Sequence, residues 1–257
     1  MILAIDIGNT NIVIGCIKNE KILFVERLST EVTRTVLEYA ISFKNVLEMY
    51  HLDAVEVQGC IISSVVPPVT NIVKEAARKI TDKEAIIIGP GVKTGLNLLM
   101  DNPAQVGSDL VANAVAGIAE YRTPLIIIDI GTATTISVVD KKQNYIGGMI
   151  LPGIRVSSDS LTSRTSQLPR ISVEAPKKLI GTNTIDCMKS GLIYGNAACI
   201  DGMIQRINRE LGESATVIAT GGFAKCIIPH CTENVIIDDA LLLKGLKLIY
   251  QKNKPKC

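Results

Sequence analysis

The sequence predicts an α/β protein made of two similar lobes, and three observations carry the prediction. β-Branched runs alternate with amphipathic stretches of helical period, two of these runs close on the same Asp-Ile-Gly, and the segments after each Asp-Ile-Gly follow in the same order. In the first copy residues 3–8 read LAIDIG, and in the second residues 126–131 read IIIDIG.

In the first half, Gly8 leads into Asn9-Thr10-Asn11, an apolar return Ile12-Val13-Ile14 and a polar turn Lys18-Asn19-Glu20-Lys21, with more strand-like residues beyond. A strand, a glycine bend and a returning strand predict a β-hairpin. Residues 32–50 have helical period. Cys60–Val66 reads as a buried strand, and Pro67-Pro68 opens a helix over 69–80, because proline fits the first turn where its missing N–H is not needed. A strand at 85–88, a glycine-rich loop at 89–95 and a helix at 105–121 complete this half. The second half repeats the order. Gly131 leads into Thr132-Ala133-Thr134-Thr135, the return Ile136-Ser137-Val138-Val139 and the turn Asp140–Asn144. A long helix at 185–211 follows, then a strand Thr216–Thr220 running into Gly221-Gly222, a strand at 234–239 and a closing helix at 240–250. The lobes are expected to divide as 1–118 and 119–257.

Composition narrows the function. Of 257 residues 47% are hydrophobic and 20% charged, the balance of a folded globule. Twenty-seven basic against 25 acidic residues leave a net charge of +2 with no basic run, which argues against nucleic acid as a partner. Seven cysteines (Cys16, Cys60, Cys187, Cys199, Cys226, Cys231, Cys257) form no CxxC pair and read as reduced thiols. Cys226, His230 and Cys231 lack a fourth zinc ligand and are interrupted by Pro229. The opening MILAIDIGNTN has no positively charged segment and soon reaches Asp6, and no apolar run approaches the ~18 residues of a membrane span. A soluble, cytoplasmic protein is expected.

The repeated turns suit phosphate. Gly8 lets the backbone bend tightly against an oxygen-rich ligand, and Asn9, Thr10 and Asn11 add side-chain donors to the amides of the bend. Asp6 offers the hard oxygen that Mg²⁺ prefers, and such a metal bridges the phosphates of a nucleotide. Asp129-Ile130-Gly131-Thr132 repeats the arrangement from the other lobe, so that the two turns together would clamp a triphosphate. By contrast, Gly89-Pro90-Gly91-Val92-Lys93-Thr94-Gly95 only imitates a P-loop: Val92 stands where the glycine before Lys-Thr is required. It reads as a loop after a strand, with Lys93 and Thr94 available to substrate. Asp109, at the start of the 105–121 helix, fits two roles. It is a favourable charge at a helix N-terminus, and it is the best unassigned carboxylate to accept a proton from an attacking alcohol.

Taken together, DIGNTN (6–11), SSVVP (63–67), GPGVKTGL (89–96), DNPAQVGSD (101–109), IDIGTATT (128–135), GGMILPG (147–153), LTSRTSQLP (161–169), IGTNT (180–184) and ATGG (219–222) resemble the type III pantothenate kinases. This is the Bvg accessory factor-like family, within the acetate/sugar kinase, heat-shock protein and actin superfamily. The pieces occur in family order over nearly the whole chain. The resemblance implies duplicated actin-like (ribonuclease H-like) lobes, each a mixed β-sheet flanked by helices, with a cleft between. It implies transfer of a phosphoryl group from ATP to pantothenate, the first step of coenzyme A biosynthesis. Asp6, Ile7, Gly8, Asn9, Thr10, Asn11, Ile12 and Val13 would line the ATP site together with Thr132. Asp109 would be the general base, and Asp129 would hold a monovalent cation, K⁺ or NH₄⁺. Gly107, Ser108, Asp109, Leu110, Met100 and Thr184 would contact pantothenate. A homodimer is implied, with the acceptor site close to the subunit interface and the 185–211 helix as a dimer element.

Two departures from the family pattern matter. Gly107-Ser108-Asp109-Leu110 stands where Gly-Ala-Asp-Arg is usual, and Met100 where tyrosine is usual. Leucine has no donor, and losing a charge-assisted contact weakens binding by about 1.5–3 kcal/mol, roughly ten- to a hundredfold, unless Lys93, Arg164 or a water replaces it. Two other readings therefore stay open: a catalytically weakened nucleotide-binding regulator, and a kinase for another small alcohol such as a sugar.

Overall fold

The computed structural model describes residues 1–254, so Cys257 lies outside the described residues. In chain order the elements are β1 (Ile2–Ile7), β2 (Asn11–Lys18), β3 (Lys21–Ser29), α1 (Val36–Met49), β4 (Gly59–Ser64), α2 (Pro67–Thr81), β5 (Ala85–Ile87), β6 (Asn97–Leu98), α3 (Ser108–Glu120), β7 (Leu125–Ile130), β8 (Ala133–Val139), β9 (Asn144–Pro152), α4 (Ile154–Arg164), α5 (Thr184–Leu211), β10 (Thr216–Thr220), α6 (Ala224–Ile227), β11 (Ile236–Ile237) and α7 (Leu241–Asn253). Short 3₁₀ turns cover Ala54–Glu56, Pro103–Gln105 and Ile228–His230.

Two sheets result, ordered β3-β2-β1-β4-β5 and β11-β10-β7-β8-β9-β6. Their pairings repeat. β1 and β2, β2 and β3, β7 and β8, and β8 and β9 are antiparallel, whereas β1 and β4, β4 and β5, β7 and β10, and β10 and β11 are parallel. The doubled phrase in the sequence is thus a doubled topology. β6 is the extra strand, joined in parallel to β9 through Asn97↔Asn144 and Leu98↔Tyr145.

Each sheet buries the face its period-2 pattern marks as apolar. In the first, Leu3, Ile5, Ile7, Ile12 and Ile14 pack with Tyr39, Phe43 and Leu47 of α1 and Val69, Val73 and Ala77 of α2. In the second, Ile126, Ile128, Ile130, Ile136 and Val138 pack with Leu192, Ile193, Ile200 and Ile204 of α5. The helices start and stop on local chemistry. Thr35 and Glu38 form a reciprocal capping box on α1, Pro67 and Pro68 open α2, and α5 runs from the Asn183 cap to Gly212 at φ 72°.

The chain divides into two compact units: Met1–Gly95 with Asn102–Ala116 and α7, and Leu96–Asp101 with Gly117–Ala240. The change at Ala116 to Gly117 falls beside the 118/119 division read from the sequence, but α7 packs in the first unit. Three glycines make that possible. A Cβ on Gly15 would lie 2.6 Å from Leu243 Cδ1, one on Gly59 would fall on the Tyr250 ring, and one on Gly245 would strike the Ala112 carbonyl. The C-terminal helix therefore lies directly against β2, β4 and α3. At its end Asn253 accepts from the Lys93 N–H (2.9 Å) and donates to the Lys93 carbonyl (2.8 Å), which ties the glycine-rich loop to α7. No helix follows that loop, as a P-loop would require; Leu96 leads into β6.

Candidate active site

In the first unit the Asp6 turn lies at the carboxyl end of β1, the edge where parallel strands present ligands. Asp6 pairs in register with Val13 on β2 and Ser63 on β4. The turn is drawn tight: the Gly8 N–H donates to the Asn11 carbonyl (3.0 Å), and the Thr30 hydroxyl donates to the Gly8 carbonyl (2.6 Å). Asn9, Thr10 and Asn11 are left exposed. Exposed side-chain donors that suit phosphate oxygens thus share one bend with a half-buried carboxylate, the hard oxygen ligand that suits a phosphate-bound magnesium ion. Ile7 and Ile12 are fully buried in the apolar core, so of the nine residues read as nucleotide contacts these two can offer only backbone.

The same edge carries the start of α3. β5 ends early, with Ile88 donating to the Ile62 carbonyl, and Ser108 fills the next ladder place on β4. Its hydroxyl accepts from the Ser64 N–H (3.0 Å), donates to the Ser64 carbonyl (3.1 Å) and lies 2.9 Å from the Ser63 hydroxyl. Ser64 in turn bonds to Thr70 (2.7 Å) at the start of α2. Ser108, read as an acceptor contact, thus has its buried hydroxyl committed to β4, and only its main chain is left for that role. This hydroxyl cluster is not legible in the sequence, where SSVVP shows a strand end but not what it meets.

Asp109 stands next, on the first turn of α3. Its carboxylate folds over Gly107, where an added Cβ would collide with Oδ1. Burial pushes its carboxyl above the ordinary aspartate value, and the N–H groups of Leu110 and of Asp109 itself pull it only partway back. A carboxylate desolvated in this way, beside a phosphate-type turn, is suited to take a proton. Leu110 beside it is half-buried and brings no donor.

The second unit repeats the turn. Asp129 pairs with Thr135 on β8 and Thr220 on β10, and the Gly131 N–H donates to the Ala133 carbonyl (3.0 Å). Two glycines close around it. Gly221, at φ 95°, lies where a Cβ would meet Asp129 Oδ1 at 2.5 Å, and Gly153 presses on the Gly131 and Thr132 carbonyls. At Gly221 the Asp129 carboxylate lies against the Ile130 main chain, so that carboxylate and carbonyl oxygens, the hard ligands a cation prefers, stand close together. The Thr132 side chain is exposed. The motifs ILPG and ATGG signalled these glycines, but not what they touch. Thr184, also in this unit, is the first residue of α5 and lines a groove of about 850 Å³ with Ser157, Leu161, Leu168, Cys187 and Asn196. Met100 lies near Gly147.

Among the described residues no three His, Cys, Asp or Glu side chains gather to hold a metal ion. Cys226 bonds to the Val173 carbonyl, and Cys231 to those of Ala197 and Ile227. Burial, with Asp201 nearby, pushes the Cys231 thiol up to about 12. No described helix is long and apolar enough to cross a membrane.

The doubled topology, with an Asp-Ile-Gly turn at the carboxyl ends of β1 and β7, defines an actin-like α/β protein. Solved structures with this fold include the activator of the 2-hydroxyisocaproyl-CoA dehydratase from Clostridium difficile with bound ADPNP (TM-score 0.55, 14% identity, 98% of this chain and 94% of that one). Component A of the Acidaminococcus fermentans (R)-2-hydroxyglutaryl-CoA dehydratase is another (TM-score 0.57, 15% identity, 98% and 97%). At sequence level the chain is 46% identical to a type III pantothenate kinase from an Exiguobacterium species, over 99% of this chain and all of that one. It is 44% identical to another from Halalkalibacterium halodurans, over 98% and 100%. The family model for type III pantothenate kinase matches residues 2–206. The chain belongs to the type III pantothenate kinase family.

Proposed function

We propose that the protein transfers the γ-phosphoryl group of ATP to the primary alcohol of pantothenate, giving 4′-phosphopantothenate for coenzyme A biosynthesis. Family membership names the reaction. The single structural observation that carries the reading is Asp109: a desolvated carboxylate on α3, hydrogen-bonded through its helix to the strand beside Asp6.

In this reading the turn at residues 8–11, with the side chains of Asn9, Thr10 and Asn11, orients the phosphates, and Thr132 adds a hydroxyl. Asp6 would hold Mg²⁺ through the nucleotide, and Asp129 would hold K⁺ or NH₄⁺; when bound, these cations offset negative charge on the phosphoryl oxygens. Asp109 accepts the hydroxyl proton as the alcohol oxygen attacks phosphorus in line. Gly107 leaves room for that carboxylate to lie back over the loop. Thr184 and its groove, with Met100 and the main chain of residues 107–110, are the proposed pantothenate contacts. The protein acts in the cytoplasm as a homodimer, with α5 as the dimer element.

One coupled assay tests this. ADP release is expected with pantothenate, to depend on K⁺ or NH₄⁺, and to be absent with a panel of sugars. Release with a sugar but not pantothenate would mean another alcohol is the acceptor, and release with neither would mean a nucleotide-binding regulator. In the same assay Leu110→Arg is expected to lower the KM for pantothenate roughly tenfold with kcat little changed, because it restores a charge-assisted donor beside Asp109. An unchanged KM would show that Leu110 does not limit acceptor binding.

A further inference from the structure

The Ser108 hydroxyl makes three polar contacts at this edge, all of them to β4. The Val65 N–H donates to the Ile7 carbonyl, so the main-chain groups of Ser64 face the other way, toward the place β5 has left. A single hydroxyl there satisfies both of them. Its one proton goes to the Ser64 carbonyl, which leaves the Ser63 hydroxyl as donor in the remaining bond. Ser63 is fully buried and lies directly beside Asp6 in the β1–β4 register. Hydrogen bonds therefore join Ser63 and Ser64 to Ser108, with Asp6 beside Ser63 in register and Asp109 next to Ser108 in the chain, all within one unit.

We propose that Ser108 is a positioning residue: its three-bond clamp on β4 fixes the first turn of α3, and so sets the spacing between Asp109 and the Asp6 turn. This rests on the reading of Asp109 as the proton acceptor. In-line transfer needs the alcohol and the phosphorus held in one geometry, and misplacement by about 1 Å lowers such rates about a hundredfold. A helix N-terminus held by hydrogen bonds through two strand residues is stiffer than one held by packing alone.

The test is a double-mutant cycle on the full-length protein with ATP and pantothenate. Ser108→Ala is expected to lower kcat about tenfold while leaving the KM for ATP unchanged, since the Asp6 turn is untouched. Ser108→Thr, which keeps the hydroxyl, is expected to recover most of the loss. In an Asp109→Asn background, followed by a radiometric assay, Ser108→Ala should lower the residual rate no further. Wild-type kcat in Ser108→Ala, or a tenfold loss that persists in the Asp109→Asn background, overturns the proposal. Should Ser108→Ala not fold, Ser63→Ala carries the test: a two- to threefold fall in kcat at constant KM supports the clamp, and wild-type kcat refutes it. Full activity of Asp109→Asn, by contrast, refutes the proton-acceptor role itself, whatever the serine variants do.

Discussion

Asp109→Asn is expected to reduce turnover by about 10²–10⁴-fold while ATP binding is retained. The amide keeps the size and helix position of the carboxylate but cannot accept the proton of the attacking hydroxyl. Equilibrium titration with a fluorescent nucleotide, beside steady-state ADP release, separates the two effects. A variant that turns over like wild type would remove Asp109 from the proton-acceptor role. Because burial raises this carboxyl above the ordinary value of 3.8, the wild-type rate should fall on acidification at a pH higher than an exposed aspartate would set. The same shift has a consequence for stability, with a definite sign. Below the unfolded value both states hold the proton and Asp109 contributes nothing. As pH rises from 3.8 through the raised folded value, the folded state is obliged to carry a desolvated charge, and stability is lost. Asp109→Asn should therefore melt at a higher temperature than wild type near neutral pH, and this advantage should vanish near pH 3.5. An advantage that persists at low pH would mean that the carboxylate is not strained by burial.

Gly245→Ala is expected to lower stability by about 2–4 kcal/mol, because the added methyl would strike the Ala112 carbonyl, which belongs to a helix backbone and has little freedom to move. For a chain of this size that corresponds to a melting temperature roughly 5–15 °C lower. Gly195→Ala, on α5 with open space around it, is the matched control and should gain up to about 1 kcal/mol from helix propensity. Equal melting temperatures for Gly245→Ala and wild type would show that α7 does not sit against α3 as described. The expected loss matters because α7 is the element that leaves the second half of the chain to join the sheet of the first.

Elements whose cause is local were legible. The Asp-Ile-Gly hairpins, the proline-opened α2 and the long α5 each write their period and their ends into adjacent residues, and observed bounds fall within a few residues of those read from the chain. α4 was not: IRVSSDSLTSR offers few apolar positions and many hydroxyls, and only Ile154 and Ser158 are buried, so its helix is held by its packing on α5 and β8 rather than marked by a stripe. β6, two residues long, exists only because β9 offers it an edge. Ile7 and Ile12 show the same divide at the site: the resemblance implied ligand contact, and the pleat buries both side chains in the core, which leaves only their main chain for that role.

By itself, then, the sequence determined the doubled α/β plan, the two acidic turns and the carboxylate that follows Gly107, since hydrophobic period, glycine bends and the order of short motifs are properties of neighbouring residues. Only the tertiary structure decided that α7 belongs with the first sheet, that Gly153 and Gly221 enclose the Asp129 turn, and that Ser108 binds β4. Those facts depend on backbone approaching backbone across many intervening residues. A glycine or a serine carries no mark in the sequence of the distant carbonyl it will meet.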